Sequence, residues 1–185
     1  MDKELEQELI KKCQADDMDS FGLLYDEYIE KIFNFVYHRV GSKELAEDLT
    51  SQTFFKALKN INSFDGEYFS AWIFRIARNT VIDHYRTHKT SEDLENFPDL
   101  TAFKDLEKEV DDKKTLEEVK KFLKTLKPEQ EEIIIMRIWD QLSYKEIAEI
   151  IGKSESSCKM MFSRAINSLR REIPLSLLVF LILNS

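Results

Sequence analysis

Between Ser143 and Arg171 the sequence holds two helix starts separated by one enforced turn, and nothing else in the chain restricts its fold so tightly. Ser143-Tyr-Lys-Glu146 has the form of a capping box, with serine at the N-cap and glutamate three positions on. Ile147, Ala148, Ile150 and Ile151 make a short apolar helix, and Gly152 ends it where the backbone needs positive φ. Ser154 then caps a second helix. Ala148 is small where the two helices of a helix-turn-helix must approach closely.

On a helical wheel the second helix separates into two faces. Cys158, Phe162, Ala165, Ile166 and Leu169 cluster on one side, with Met161 at its margin. Ser156, Lys159, Met160, Ser163, Arg164, Asn167, Arg170 and Arg171 occupy the other. That second face offers donors to phosphates and base edges, and Met160 can touch a thymine methyl. The competing reading is a solvated face in an ordinary bundle, which the caps, turn and spacing disfavour.

The rest of the chain is helical in character. Of 185 residues only four are glycine and three proline, too little punctuation for a many-turned β protein. Leu24, Tyr28, Ile32 and Phe35 recur at helical spacing, and Gly41 and Ser42 break the pattern. Ser42 caps a second helix carried by Leu45, Leu49, Phe55 and Leu58 to about residue 60, followed by the turn-rich segment Asn60–Gly66. A third long helix spans about 70–88. The stretch 91–114 has little periodic apolar content and reads as an acidic linker. Leu116, Val119, Leu123 and Leu126 form a further stripe, and Pro128 with Glu129, Glu131 and Glu132 opens a helix reaching Trp139. The fold class is therefore all-α. It comprises an N-terminal helical bundle (1–90), an acidic linker (91–114), a C-terminal four-helix domain with the helix-turn-helix (115–173) and a hydrophobic tail (174–185).

A net charge of −8 looks wrong for a nucleic-acid binder until it is divided along the chain. Residues 1–30 hold ten acids and three bases, and residues 91–114 nine acids and four bases. Residues 31–90 hold nine bases against six acids, and 115–185 eleven against ten. Total charge says nothing about a local face.

A second basic stripe lies on the 70–88 helix, where Arg75, Arg78, Asn79 and Arg86 share one side, interrupted by Ile82. Trp72, Ile73, Ile76, Ala77, Thr80 and Val81 fill the opposite side. Taken alone, the stripe also fits an ordinary exposed amphipathic face, the less favoured reading. His84 and His88 have the spacing of metal ligands, but they project toward the apolar side and no third ligand accompanies them, so packing or capping is the better reading. Cys13 and Cys158 form no C-x-x-C pair, so neither a disulfide framework nor a zinc knuckle is supported. No nucleophile motif, phosphate loop or catalytic carboxylate pair stands out. No signal peptide is read at the start, and a reducing cytoplasm is the expected compartment. The apolar run Leu175–Leu183 would span about 14 Å as a helix, roughly half a bilayer core. Too short to cross a membrane alone, it is expected to pack against the body or a partner, with peripheral membrane contact as the lesser reading.

Three segments in order, Ala46–Leu58, Phe69–Thr80 and Leu142–Gly152, resemble bacterial RNA polymerase sigma factors, in the short two-domain form of the extracytoplasmic-function (ECF) branch. The resemblance runs from about Ser20 to Glu172. It implies that Asp48, Gln52 and Phe55 dock on the β′ clamp helices of core polymerase. It implies that Arg75, Arg78, Asn79, Asp83 and Arg86 engage and open the minus-ten element, and that the loop Asn62, Ser63, Phe64 and Asp65 captures a flipped-out base. Ser154, Ser156, Ser157, Lys159, Met160, Ser163 and Arg164 match the minus-thirty-five reader. Met160 departs from the family's small polar residue and Met161 from its basic one. The implied partners are core polymerase (β′ clamp helices and β flap), promoter DNA and an anti-sigma factor. No cofactor, small-molecule substrate or catalysis of its own is implied. Two other readings are an autonomous helix-turn-helix regulator, which needs no polymerase-docking helix, and a sigma-fold interaction protein that has lost promoter reading.

Overall fold

The computed structural model describes residues 1–88, 126–138 and 140–172. Among them every regular element is helical, and the chain divides into two compact units, Met1–Glu95 and Asn96–Ser185. The linker 91–114, the stripe from Leu116 to Leu123, Trp139 and the tail 174–185 lie outside the described residues, as do the side chains of His88 and Leu169.

The described part of the first unit holds four α-helices. Helix α1 (Lys3–Gln14) places Glu4 and Glu6 in its first turn and Lys11 and Lys12 in its last, the arrangement that complements the helix dipole. It buries Leu9, Ile10 and Cys13, and also Glu6, whose carboxylate accepts a hydrogen bond from the Tyr28 hydroxyl. Helix α2 (Met18–Val40) starts at Asp17, whose carboxylate accepts from the Asp19 and Ser20 amides and the Ser20 hydroxyl. It ends at Gly41, with φ of 73°. Its stripe Leu24, Tyr28, Ile32 and Phe35 is buried, as the spacing predicts. Helix α3 (Lys43–Asn60) is capped by Ser42, whose hydroxyl accepts from the Leu45 amide. After a 3-10 turn (Ile61–Ser63), helix α4 (Phe69–His88) buries Ile73, Phe74, Ala77, Thr80 and Val81. The core forms where α2, α3 and α4 meet, around Leu24, Ile32, Phe35, Leu49, Phe69 and Ile73, each contributing about 1.5–3 kcal/mol by burial.

One predicted face differs. Of Leu45, Leu49, Phe55 and Leu58, only Leu49 is buried; Leu45 and Leu58 are half-buried and Phe55 is 69% exposed. The buried stripe of α3 is Ala46, Leu49, Thr50, Thr53, Phe54 and Ala57, one residue out of phase at the aromatic pair. Two threonines occupy core positions there and hide the periodicity from a count of apolar residues. Thr53 manages this by donating to the Leu49 carbonyl.

The described part of the second unit holds three helices. Helix α5 (Pro128–Ile138) opens on proline and is buried at Ile133, Ile134, Ile135, Met136 and Ile138, the nearly all-round apolar surface of a central helix. Helix α6 (Tyr144–Ile151) begins with both halves of the capping box: the Glu146 amide donates to Ser143 Oγ at 3.3 Å and the Ser143 amide to Glu146 Oε2 at 2.8 Å. Gly152 ends it with φ of 69°. Helix α7 (Glu155–Glu172) packs on α5 and α6 through Cys158, Ala165 and Ile166. Among the described residues no helix is long and apolar enough to cross a membrane.

Candidate nucleic-acid interface

On the first unit, candidate residues come from α4 and the loop before it. Arg75, Asn79, Asp83 and Arg86 are exposed along α4, and Arg78 is half-buried on the same side. Thr80, from the buried face, accepts a hydrogen bond from Lys56 Nζ at 3.0 Å, which ties α4 to α3. The loop residues Asn62, Ser63 and Asp65 are exposed, whereas Phe64 is only 7% exposed. The Phe64 ring meets Phe69 edge-on at 5.8 Å and Trp72 at 5.2 Å, and Phe69 reaches Tyr28 at 5.5 Å. Phe64 is thus the loop's anchor, and its three polar neighbours are the groups available to a ligand.

Two further residues hold that loop, and the sequence reading missed both. Gln14, at the end of α1, donates to the carbonyls of Ile61 at 3.1 Å and Phe64 at 2.7 Å. Gly66 sits against the Phe64 ring so closely that a Cβ would lie 3.0 Å from it. Neither signal is readable from spacing, because Gln14 acts 47 and 50 residues away.

Asp48, Gln52 and Phe55 are all exposed and lie on successive turns of α3. Beside them, α2 and α3 leave a groove of about 660 Å³ whose lining includes Tyr25, Ile29, Phe33 and Thr50. The Thr50 hydroxyl is buried there without a hydrogen-bond partner. Of the histidine pair only the His84 side chain is described: it is half-buried, with its ring 5.5 Å from that of Tyr85 at a steep angle. Among the described residues no group of three His, Cys, Asp or Glu side chains is placed to hold a metal ion. Cys13 and Cys158 are free and buried, and burial pushes both thiols up from their ordinary value.

On the second unit, the helix-turn-helix presents one continuous outward face. Ser154 Oγ accepts from the Ser157 amide at 3.2 Å and lies 3.1 Å from Ser156 Oγ, so α7 begins with clustered hydroxyls. Ser156, Lys159, Met160, Ser163 and Arg164 are exposed, and Ser157 is half-buried. Lys159 Nζ pairs with Glu155 at 2.5 Å and lies 5.8 Å from the Tyr144 ring centre. The hydrogen bond from Lys159, reinforced by its charge, holds the Glu155 carboxyl below the ordinary glutamate range. Tyr144 also takes the Arg137 guanidinium over its ring at 5.1 Å and the Phe162 ring edge-on at 5.8 Å. It therefore links all three helices behind the reading face, a role that no motif signals.

Comparison with known proteins gives this arrangement a family. Residues 24–90 match sigma-70 region 2 and residues 116–169 match sigma-70 region 4. The chain is 36% identical over 174 residues to the ECF RNA polymerase sigma factor BldN of Streptomyces coelicolor, covering 90% of this chain and 65% of that protein. It is 30% identical over 179 residues to the ECF RNA polymerase sigma factor SigW of Bacillus subtilis, covering 89% of this chain and 94% of that one. The fold is shared with CnrH, solved in complex with the cytosolic domain of CnrY, with a TM-score of 0.67 at 21% identity over 90% of this chain and 96% of that one. With both regions matched in order and a relative aligned over nearly its whole length, the chain belongs to the sigma-70 family, in its ECF branch.

Proposed function

We propose that this sigma factor directs core RNA polymerase to promoters by three surfaces. Asp48, Gln52 and Phe55 dock on the β′ clamp helices. Arg75, Arg78, Asn79, Asp83 and Arg86, with Asn62, Ser63 and Asp65, take and open the minus-ten element. The α7 face from Ser154 to Arg164 reads the minus-thirty-five element. The observation that carries the docking role is Phe55, an aromatic ring exposed on α3 beside a fully formed core. A ring left in water is the kind of group that a protein interface uses as an anchor.

The energetics favour division of labour. Flipping a base costs a few kcal/mol of unstacking and unpairing, which polar groups holding the extruded base offset. A capped helix N-terminus and a few donors position a helix on phosphates and bases but give modest affinity alone. Joining two such readers raises effective affinity, provided that the connection spans both sites. The polymerase supplies the catalysis and the chain none. The family reading adds an anti-sigma partner, contact with the β flap and a cytoplasmic location.

The test is to add the purified chain to core polymerase and map transcript starts. Discrete starts that appear only with the chain support the reading. Specific DNA binding without polymerase points to an autonomous regulator, and polymerase binding without initiation to an interaction protein. Co-purification of a partner that blocks initiation tests the anti-sigma expectation.

A further inference from the structure

We propose that Met160 is a specificity-determining residue that reads the 5-methyl group of a thymine in the upstream promoter element. This rests on the assignment of α7 to that element and adds the base it selects there. On α7 the buried residues Cys158, Ala165 and Ile166 fix the inward direction. At about 100° per residue, the exposed residues run from Lys159 at one edge round to Ser168 at the other. Met160 falls near the middle of that arc, between Ser156 and Asn167 on one side and Arg164 on the other. It is 48% exposed, and no other large apolar side chain described in the second unit is exposed. Lys159, by contrast, sits at the flank, paired with Glu155 and directed toward Tyr144.

A single exposed apolar side chain is ordinary on a protein surface. Its place here is not, because the front of a helix entering the major groove meets base edges. Those edges are donors and acceptors except for one group, the thymine methyl. A thioether pressed onto any other edge strips water from a polar group and returns no hydrogen bond. The neighbouring Ser156 and Ser163 hydroxyls can either donate or accept, so they discriminate weakly. Arg164 and Asn167 on either side can select a guanine or an adenine by paired hydrogen bonds, so the share left to the methionine is the selection of a thymine.

The experiment uses the full chain with core polymerase and a promoter selected from a pool randomised in the upstream element. Each thymine of the selected element is replaced singly by deoxyuridine, which removes only the methyl. One such replacement is expected to weaken promoter binding about three- to tenfold, the value of one buried methyl contact. Met160→Ala is expected to bind the thymine promoter weaker by a similar factor and to respond equally to thymine and uracil. Met160→Leu should restore the difference, and both variants should melt at the parent's temperature because the side chain is exposed. Indifference of the parent to every uracil, or a thymine preference kept by Met160→Ala, overturns the proposal. Absence of discrete promoter initiation instead overturns the sigma-factor reading, and the proposal with it.

Discussion

Phe54 and Phe55 are adjacent in the chain and opposite in role, so they separate stability from docking. Phe54 is 4% exposed with its ring 4.7 Å from that of Tyr25; Phe54→Ala is expected to cost about 3–5 kcal/mol, seen as a large drop in melting temperature. Phe55→Ala should leave the melt within a degree or two, yet weaken capture of core polymerase at least tenfold in a pull-down titration. Gln14→Ala removes two hydrogen bonds to the 61–64 loop and should cost about 1–2 kcal/mol. Its expected signature is slower promoter opening, followed by permanganate footprinting, with polymerase affinity unchanged. At this scale the sequence was least legible. The motif named Phe64 with its polar neighbours, but only packing shows that it points inward.

Helices are where reading from sequence succeeded best, and the reason is local. The α6–α7 pair is specified by contacts within three or four residues: the Ser143–Glu146 exchange, Gly152 in the left-handed region and the Ser154 cap. Ser143→Ala should cost about 0.5–2 kcal/mol. At Gly152 there is open space for a Cβ, so Gly152→Ala should cost about 1–2 kcal/mol from φ alone. Urea melts read both. Helix α1 was overlooked because its buried stripe runs Glu6, Leu9, Ile10, Cys13, and a glutamate at a core position breaks the apolar count. Asp17 supplies a pH test. Bonds from the Ser20 hydroxyl, with further help from the backbone amides of Ser20 and Asp19, hold its carboxyl below the ordinary aspartate range. A depressed carboxylate stabilises the fold above its unfolded pKa and loses that contribution as pH falls through the folded value. The parent should accordingly outlast Asp17→Ala in thermal melts near neutrality, and the gap should close in acid below the ordinary aspartate range.

For the molecule as a whole, partition of charge matters more than its sum. The chain carries −8 overall, yet the segments bearing both readers are neutral to basic. Free protein should bind promoter fragments weakly and with shallow salt dependence, since few phosphates are neutralised. On the proposed reading one polymerase holds both surfaces, and so fixes the spacing between their DNA elements. Inserting five base pairs, about half a helical turn, should reduce initiation at least tenfold in a run-off assay, and ten should restore part of it. The acidic, aperiodic stretch 91–114 between two runs of helical periodicity is what suggests a two-part organisation. The linker and the apolar tail belong to residues outside those described, so their sequence readings stand as expectations.

Phe64 has a consequence for how such a chain can change. Its ring is a fixed peg clasped by Phe69 and Trp72, and its backbone carbonyl is latched by Gln14, while Asn62, Ser63 and Asp65 are exposed outside the clasp. The letters that face a ligand are therefore decoupled from the letters that keep the fold. On the proposed reading, a lineage can rewrite the former, and so acquire a new set of promoters, without disturbing the part of the loop that anchors it.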